Sequence, residues 1–148
     1  MKFSTSALLA VVAATSVAAQ QAHIAAPKNA TDVKQGSDLM IEVARPNLQG
    51  PGSSFSEEVG IVLSYVACSD SGACVPPSQG TGKILYKGPY DPQPNLAFPS
   101  IPPHQNFTVK IPGDGVKGAA QIALTQFSLA GNNLVPTTMF DIVHINVI

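Results

Sequence analysis

Along most of the chain apolar and polar residues alternate one for one, the spacing that sends successive side chains to opposite faces of an extended strand. "DLMIEVARP" (38–46) sets Leu39, Ile41 and Val43 against Met40, Glu42 and Ala44. "QNFTVKIP" (105–112) turns Phe107, Val109 and Ile111 inward and Asn106, Thr108 and Lys110 outward. "EEVGIVLSYVAC" (57–68) places Val59, Ile61, Leu63 and Tyr65 on one face, with Gly60, Val62, Ser64 and Val66 on the other. Partly apolar on both sides, this segment is predicted to be a central strand. "GKILYKG" (82–88), "AAQIALTQFSLAG" (119–131) and "MFDIVHINVI" (139–148) complete the set, and "AHIAAP" (22–27) is expected to form a first edge strand. Within 119–131 the alanines favour a helix, whereas Ile122, Thr125 and Phe127 favour a strand.

Turn-forming stretches separate these segments: "QGSD", "NLQGPGSS", "SDSG", "SQGTG", "PGDGVKG" and "AGNN". The 13 prolines would interrupt any long helix. Short strands at this density predict an all-β fold: an immunoglobulin-like antiparallel two-sheet sandwich of about seven strands. The longest link, "GPYDPQPNLAFPSIPPHQ" (88–105), contains six prolines. It reads either as a stiff crossover between the sheets or as an extended recognition segment, since a Pro-rich backbone loses little entropy on docking.

The first nineteen residues, "MKFSTSALLAVVAATSVAA", differ from the rest: Lys2, an apolar run from Ala7 to Ala14, then Val17 and Ala19. This is the three-part pattern of a secretory signal peptide (1–19), with cleavage expected between Ala19 and Gln20. The run is short for a bilayer span, and no later stretch reaches 18 apolar residues. The C-terminus lacks the small-residue site, spacer and apolar tail of a lipid-anchor signal. The expectation is a secreted, extracellular protein of about 129 residues, one domain over 20–148, with no membrane insertion.

Composition narrows the function classes. Without Lys2 the chain carries 7 basic and 9 acidic residues, a net charge of −2, and no cluster of Lys or Arg marks a nucleic-acid surface. Charged residues make up 11% of the chain, far below the roughly 25% of ordinary domains, which leaves the surface to Ser, Thr, Asn and Gln. Two glycosylation sequons, at Asn29 and Asn106, fit this picture, and the alternation puts Asn106 and Thr108 on one solvent-facing side.

Catalytic patterns are missing: there is no G-x-S-x-G elbow, no H-E-x-x-H and no paired Cys-His motif. Glu57 and Glu58 are adjacent, so a strand would separate them. His23, His104 and His144 are far apart in the sequence. A copper site on an N-terminal histidine would need cleavage after Ala22, with Gln20 where small residues are preferred. No catalytic residue, metal or cofactor is therefore expected. Carbohydrate-binding sandwiches usually present planar aromatics, but this chain has no Trp and only three Tyr. A wall-associated or carbohydrate-binding glycoprotein is the alternative reading.

Cys68 and Cys74, the only two cysteines, stand six positions apart in "CSDSGAC". In an oxidising compartment they are expected to pair. Closing so short a loop removes about 2.4 kcal/mol of chain entropy from the unfolded state, so the bridge pins a turn rather than the whole fold. A redox role would favour a two-residue spacing, and a metal site would need further Cys or His, of which none lies within twenty residues in sequence.

Several segments taken in order, "EEVGIVLSYVAC", "GKILYKGPY", "QNFTVKIP" and "KGAAQIALTQFSLAGNNLVP", make the chain resemble the necrosis-inducing secreted protein family of fungal effectors. The resemblance runs from about Ile24 to Ile148, and "QNFTV" before a Pro and "SLAG" after a β run are its most specific pieces. It implies a non-enzymatic protein that enters the host cytoplasm, binds plant immune receptor-associated kinases and suppresses their signalling; some members provoke cell death. For the contact surface, the residues themselves offer two candidates. One is the stapled turn with the "VPP" that follows it. The other is the Pro-rich crossover with Tyr86, Tyr90 and Phe98.

Overall fold

The computed structural model describes residues 21–46, 56–115 and 117–148; the expected signal peptide lies outside them. Eight strands form: β1 (His23–Ala26), β2 (Thr31–Val33), β3 (Asp38–Ala44), β4 (Ser56–Ala67), β5 (Lys83–Gly88), β6 (His104–Lys110), β7 (Gly118–Ala130) and β8 (Val135–Val147). They make an immunoglobulin-like sandwich of a three-stranded sheet, β1-β3-β6, and a five-stranded sheet, β2-β8-β7-β4-β5. No helix among the described residues is long and apolar enough to cross a membrane.

The alternation does what it predicts in β6 and in most of β3, where Ala44, expected outward, is instead buried. Ile41 and Val43 are fully buried, and Phe107, Val109 and Ile111 join them, while Asn106, Thr108 and Lys110 face water. Across the interface Ile61, Leu63 and Tyr65 of β4, Ile122 and Leu124 of β7, and Val143, Ile145 and Val147 of β8 close the same core. Burying each of these large aliphatic side chains contributes about 1.5–3 kcal/mol. β4 is central, as its two-sided apolar pattern indicates, with β7 and β5 on its flanks.

Three features depart from the sequence reading. The first is β2, a three-residue strand in "NATDV" that period-two reasoning does not register, and it pairs parallel to β8 (Thr31 with Ile145, Val33 with Val147). Among the described residues the sandwich therefore has eight strands and one parallel pair. The first two strands of the described residues go to different sheets, β1 beside β3 and β2 beside β8.

The second departure is Val59, expected in the core and in fact 60% exposed. Glu58 pairs with Ser128 and Gly60 with Phe127, so Val59 is the extra residue of a β-bulge. The bulge exchanges the facing of neighbours and sends Glu58 inward. Gly60 permits it, because a Cβ there would come within 2.7 Å of the Gly88 carbonyl oxygen.

The inward Glu58 belongs to a polar cluster at this end of the core. Gln126, 1% exposed, donates from Nε2 to both carboxylate oxygens of Glu58 (2.8 and 3.0 Å), and its Oε1 accepts the Ala22 N–H at 2.9 Å. Arg45 Nη1 stands 3.5 Å from Glu58. The Asp141 carboxylate accepts the Ile24 N–H at 2.7 Å. Backbone donors of the β1 edge are thus taken by side chains of the other sheet, which satisfies buried polar groups and blunts an edge at once.

The third departure is Tyr90. It is 4% exposed, packed in the core, with its hydroxyl donating to the Val43 carbonyl at 3.4 Å. Burial, and secondarily the Glu58 carboxylate, hold its phenol above the ordinary range for tyrosine; burial raises Tyr65 as well. The native state therefore keeps protons that the unfolded chain releases from about pH 10 upward. Stability is expected to be unaffected by these groups below that pH and to fall as pH rises beyond it. Tyr90→Phe should flatten the alkaline limb of a melting-temperature profile; an unchanged limb would contradict the assignment.

Candidate functional site

The stapled turn leaves β4 at Ala67. The Cys68 N–H still donates to the Ala119 carbonyl (3.0 Å), extending the β4–β7 ladder by one residue. The chain then reverses over Ser69–Ala73, with Ser69 N–H donating to Ala73 O at 2.8 Å and Gly72 N–H to Ser69 O at 2.7 Å. Gly72 supplies the left-handed backbone (φ 81°) this turn needs. Cys68 and Cys74 are joined as a disulfide, the pairing expected from the sequence.

Beyond Cys74 the loop lies on the outer face of the five-stranded sheet. Gln121 points outward from β7 yet is only 1% exposed, because its Nε2 donates to the Val75 carbonyl at 2.7 Å. On the neighbouring strand β8, His144 pairs with Gln121 in register, and its Nδ1 lies 3.7 Å from Cys74 Sγ. A histidine 70 residues away in sequence thus reaches the cysteine pair. Sequence spacing carries no sign of it; only the β7–β8 register and the folding of the loop bring them together. Reduction of this staple is expected to cost roughly 2.4 kcal/mol and lower the melting midpoint by roughly 10 °C, leaving a cooperative transition. Circular dichroism melts with and without reductant check this: loss of the β signal at 25 °C on reduction would contradict it.

The Pro-rich crossover splits into two parts. Its start is anchored to β6: Gln93 forms a bridge with His104, and Asp91 N–H donates to Gln105 Oε1 at 2.8 Å. Tyr86, half-buried on β5, packs its ring 4.6 Å from that of Phe107 and donates its hydroxyl to the Pro89 carbonyl at 2.9 Å. Tyr86 and Tyr90 are therefore packing residues; Tyr90 in particular has no surface to offer a partner, because the crossover is pulled back across the core edge there.

The apex of the crossover is different. Asn95 Oδ1 accepts the N–H groups of Ala97 (3.1 Å) and Phe98 (3.0 Å), and Ile101 N–H donates to Phe98 O at 2.9 Å. This ordered turn holds Leu96 88%, Phe98 63% and Ile101 39% exposed. Phe98, one of the candidate contacts named by the sequence reading, is thus exposed. Leu96 is a residue that reading passed over, although its place between Asn95 and a proline-bounded turn is a usable signal. The sequon residues Asn29 and Asn106 are both exposed; Asn29 Oδ1 also accepts the His144 N–H at 3.0 Å.

No family model matches the chain, and no curated protein matches it. Among solved structures it is similar to the fibronectin(III)-like modules of CbhA from Clostridium thermocellum, at 12% identity over 86% of this chain and 95% of that one, with a TM-score of 0.43. It is also similar to a variant of superoxide reductase (neelaredoxin) from Ignicoccus hospitalis, at 18% identity over 88% and 82% of the two chains, with a TM-score of 0.48. At these identities and scores the likeness extends to no site and no activity.

Proposed function

We propose that the protein is a secreted, non-enzymatic effector-type binding protein that docks on plant immune receptor-associated kinases through the apex of its Pro-rich crossover and suppresses their signalling. The sequence resemblance suggests the kinase as the class of partner. The observation that carries the docking surface is the exposure of Leu96 and Phe98 on a turn fixed by Asn95. Large apolar side chains held in water by an ordered backbone have little entropy left to lose on binding, which is the property of an interface anchor. In this reading the protein passes from the extracellular space into host cytoplasm, where the exterior of the sandwich, rather than any catalytic group, does the work.

Surface plasmon resonance against recombinant cytoplasmic domains of such kinases tests the reading. Leu96→Ala combined with Phe98→Ala is expected to weaken binding by at least about 30-fold, since anchors of this kind are each worth roughly 1–2 kcal/mol or more. The melting profile should stay unchanged, because neither side chain is in the core. Undiminished binding by the double variant would remove the apex as the docking surface.

A further inference from the structure

We propose that reduction converts the stapled turn into a metal site, in which Cys68, Cys74 and His144 together bind one zinc(II) ion. The three side chains offer ligand atoms that all lie within 4.8 Å of one another. Two sulfurs and one imidazole nitrogen are a three-protein-ligand set that zinc completes with water in a tetrahedral arrangement. With Zn–S near 2.3 Å and Zn–N near 2.0–2.1 Å, a sulfur and a nitrogen on one tetrahedral zinc stand about 3.6 Å apart. Cys74 Sγ and His144 Nδ1 are already 3.7 Å apart.

The sulfurs must separate, with Cys68 Sγ settling within reach of His144, and the ligand-bearing elements are held by bonds that do not pass through the disulfide. His144 is fixed on β8 by its N–H to Asn29 Oδ1 (3.0 Å) and by its carbonyl, which accepts the Ala30 N–H at 2.8 Å. Cys68 is tied to Ala119 at 3.0 Å, and the loop after Cys74 is held by the Gln121–Val75 bond at 2.7 Å. The donors therefore stay near one another once the bridge opens. The site is exposed enough on the His144 side for an ion to enter.

The chemistry balances in two steps. Two low-molecular-weight thiols reduce the bridge, leaving a protein dithiol and the disulfide of the reductant; each protein sulfur gains one electron and one proton. Zinc(II) then displaces two protons, forming two thiolate bonds and one bond to the unprotonated Nδ1 of His144, whose Nε2 keeps its hydrogen. Oxidised protein has no thiolate to offer, so metal uptake is conditional on a reducing compartment. This inference concerns the stapled turn alone and does not depend on the apex of the crossover or on a kinase partner.

Zinc(II) competition against a chromophoric chelator, with the full chain in tris(carboxyethyl)phosphine or air-oxidised, tests it. Reduced protein is expected to take one zinc per chain and oxidised protein none. Cobalt(II) in place of zinc should give thiolate charge-transfer absorption. Cys68→Ser with Cys74→Ser should abolish uptake under both conditions, and His144→Ala should weaken it at least about tenfold while leaving the melting profile of the oxidised protein intact. Equal uptake by oxidised and reduced protein, an unaltered affinity in His144→Ala, or loss of the β signal on reduction would each overturn the proposal.

Discussion

Replacing Gly82 with alanine is expected to destabilise the protein by about 3–5 kcal/mol, enough to lower its melting midpoint by roughly 10–20 °C. Two costs add. Gly82 has φ 62°, a left-handed backbone that costs an L-residue about 1–2 kcal/mol. A Cβ there would also collide with the Tyr65 carbonyl oxygen and stand 2.6 Å from Val66 Cγ2. Neither neighbour yields readily, because Tyr65 and Val66 belong to the central strand β4 and are both buried. Gly72→Ala separates the two costs: its φ is 81°, but no atom lies within 4 Å of the added carbon, so only the conformational part, about 1 kcal/mol, should appear. Equal losses in the two variants, read from denaturant melts, would refute the steric account.

Gln126→Leu is expected to be about as damaging, roughly 3–4 kcal/mol, through a different cause. The substitution keeps the volume of a fully buried side chain but removes both hydrogen bonds to Glu58 and the acceptor for Ala22. A carboxylate whose side chain is only 10% exposed is then left, among the described residues, with Arg45 at 3.5 Å as its ion-pair partner. Stranding one partner of a buried ionic cluster is typically worse than having no cluster, so the pair Gln126→Leu with Glu58→Leu should recover part of the loss. A double variant no more stable than Gln126→Leu alone would argue that Gln126 acts by shape and not by satisfying Glu58.

The parts of the fold legible in the sequence are those in which one face meets the core and the other meets water. β6 alternates cleanly for that reason, whereas in β3 Ala44, expected on the outer face, is buried beside Val43. β7 reads ambiguously because it is buried on both faces: Ile122 and Leu124 in the core, Gln121 beneath the stapled loop, and Ala123 and Thr125 within the sheet's outer surface. β2 is too short to show a period. At Val59 a single inserted residue reverses the expected facing, and the signal for it, a glycine inside a strand pattern at Gly60, is visible only in hindsight of its contact with Gly88.

The candidate sites follow the same division. The disulfide is legible because compartment and cysteine count decide it together. The burial of Tyr90 is not, since a Pro-rich link has no period from which to read a facing. Neither is the approach of His144 to Cys74 or of Gln126 to Glu58: separations of 70 and 68 residues are bridged by strand register together with the fold of the stapled loop in the first case and the Val59 bulge in the second.

The parallel pairing of β2 with β8 joins the second strand of the described residues to the last. Tension applied at the two ends, once β1 has peeled away, would drag Thr31 and Ile148 in opposite directions along a common axis. The bonds from Gln35 N–H to Ile148 O (3.1 Å) and from Ile148 N–H to Val33 O (3.0 Å) would then be loaded in shear and together, rather than unzipped one after another. Resistance to pulling is set by the rate of such a rupture and not by equilibrium stability, so the short β2–β8 pairing would bear on mechanical unfolding more than on the melting midpoint.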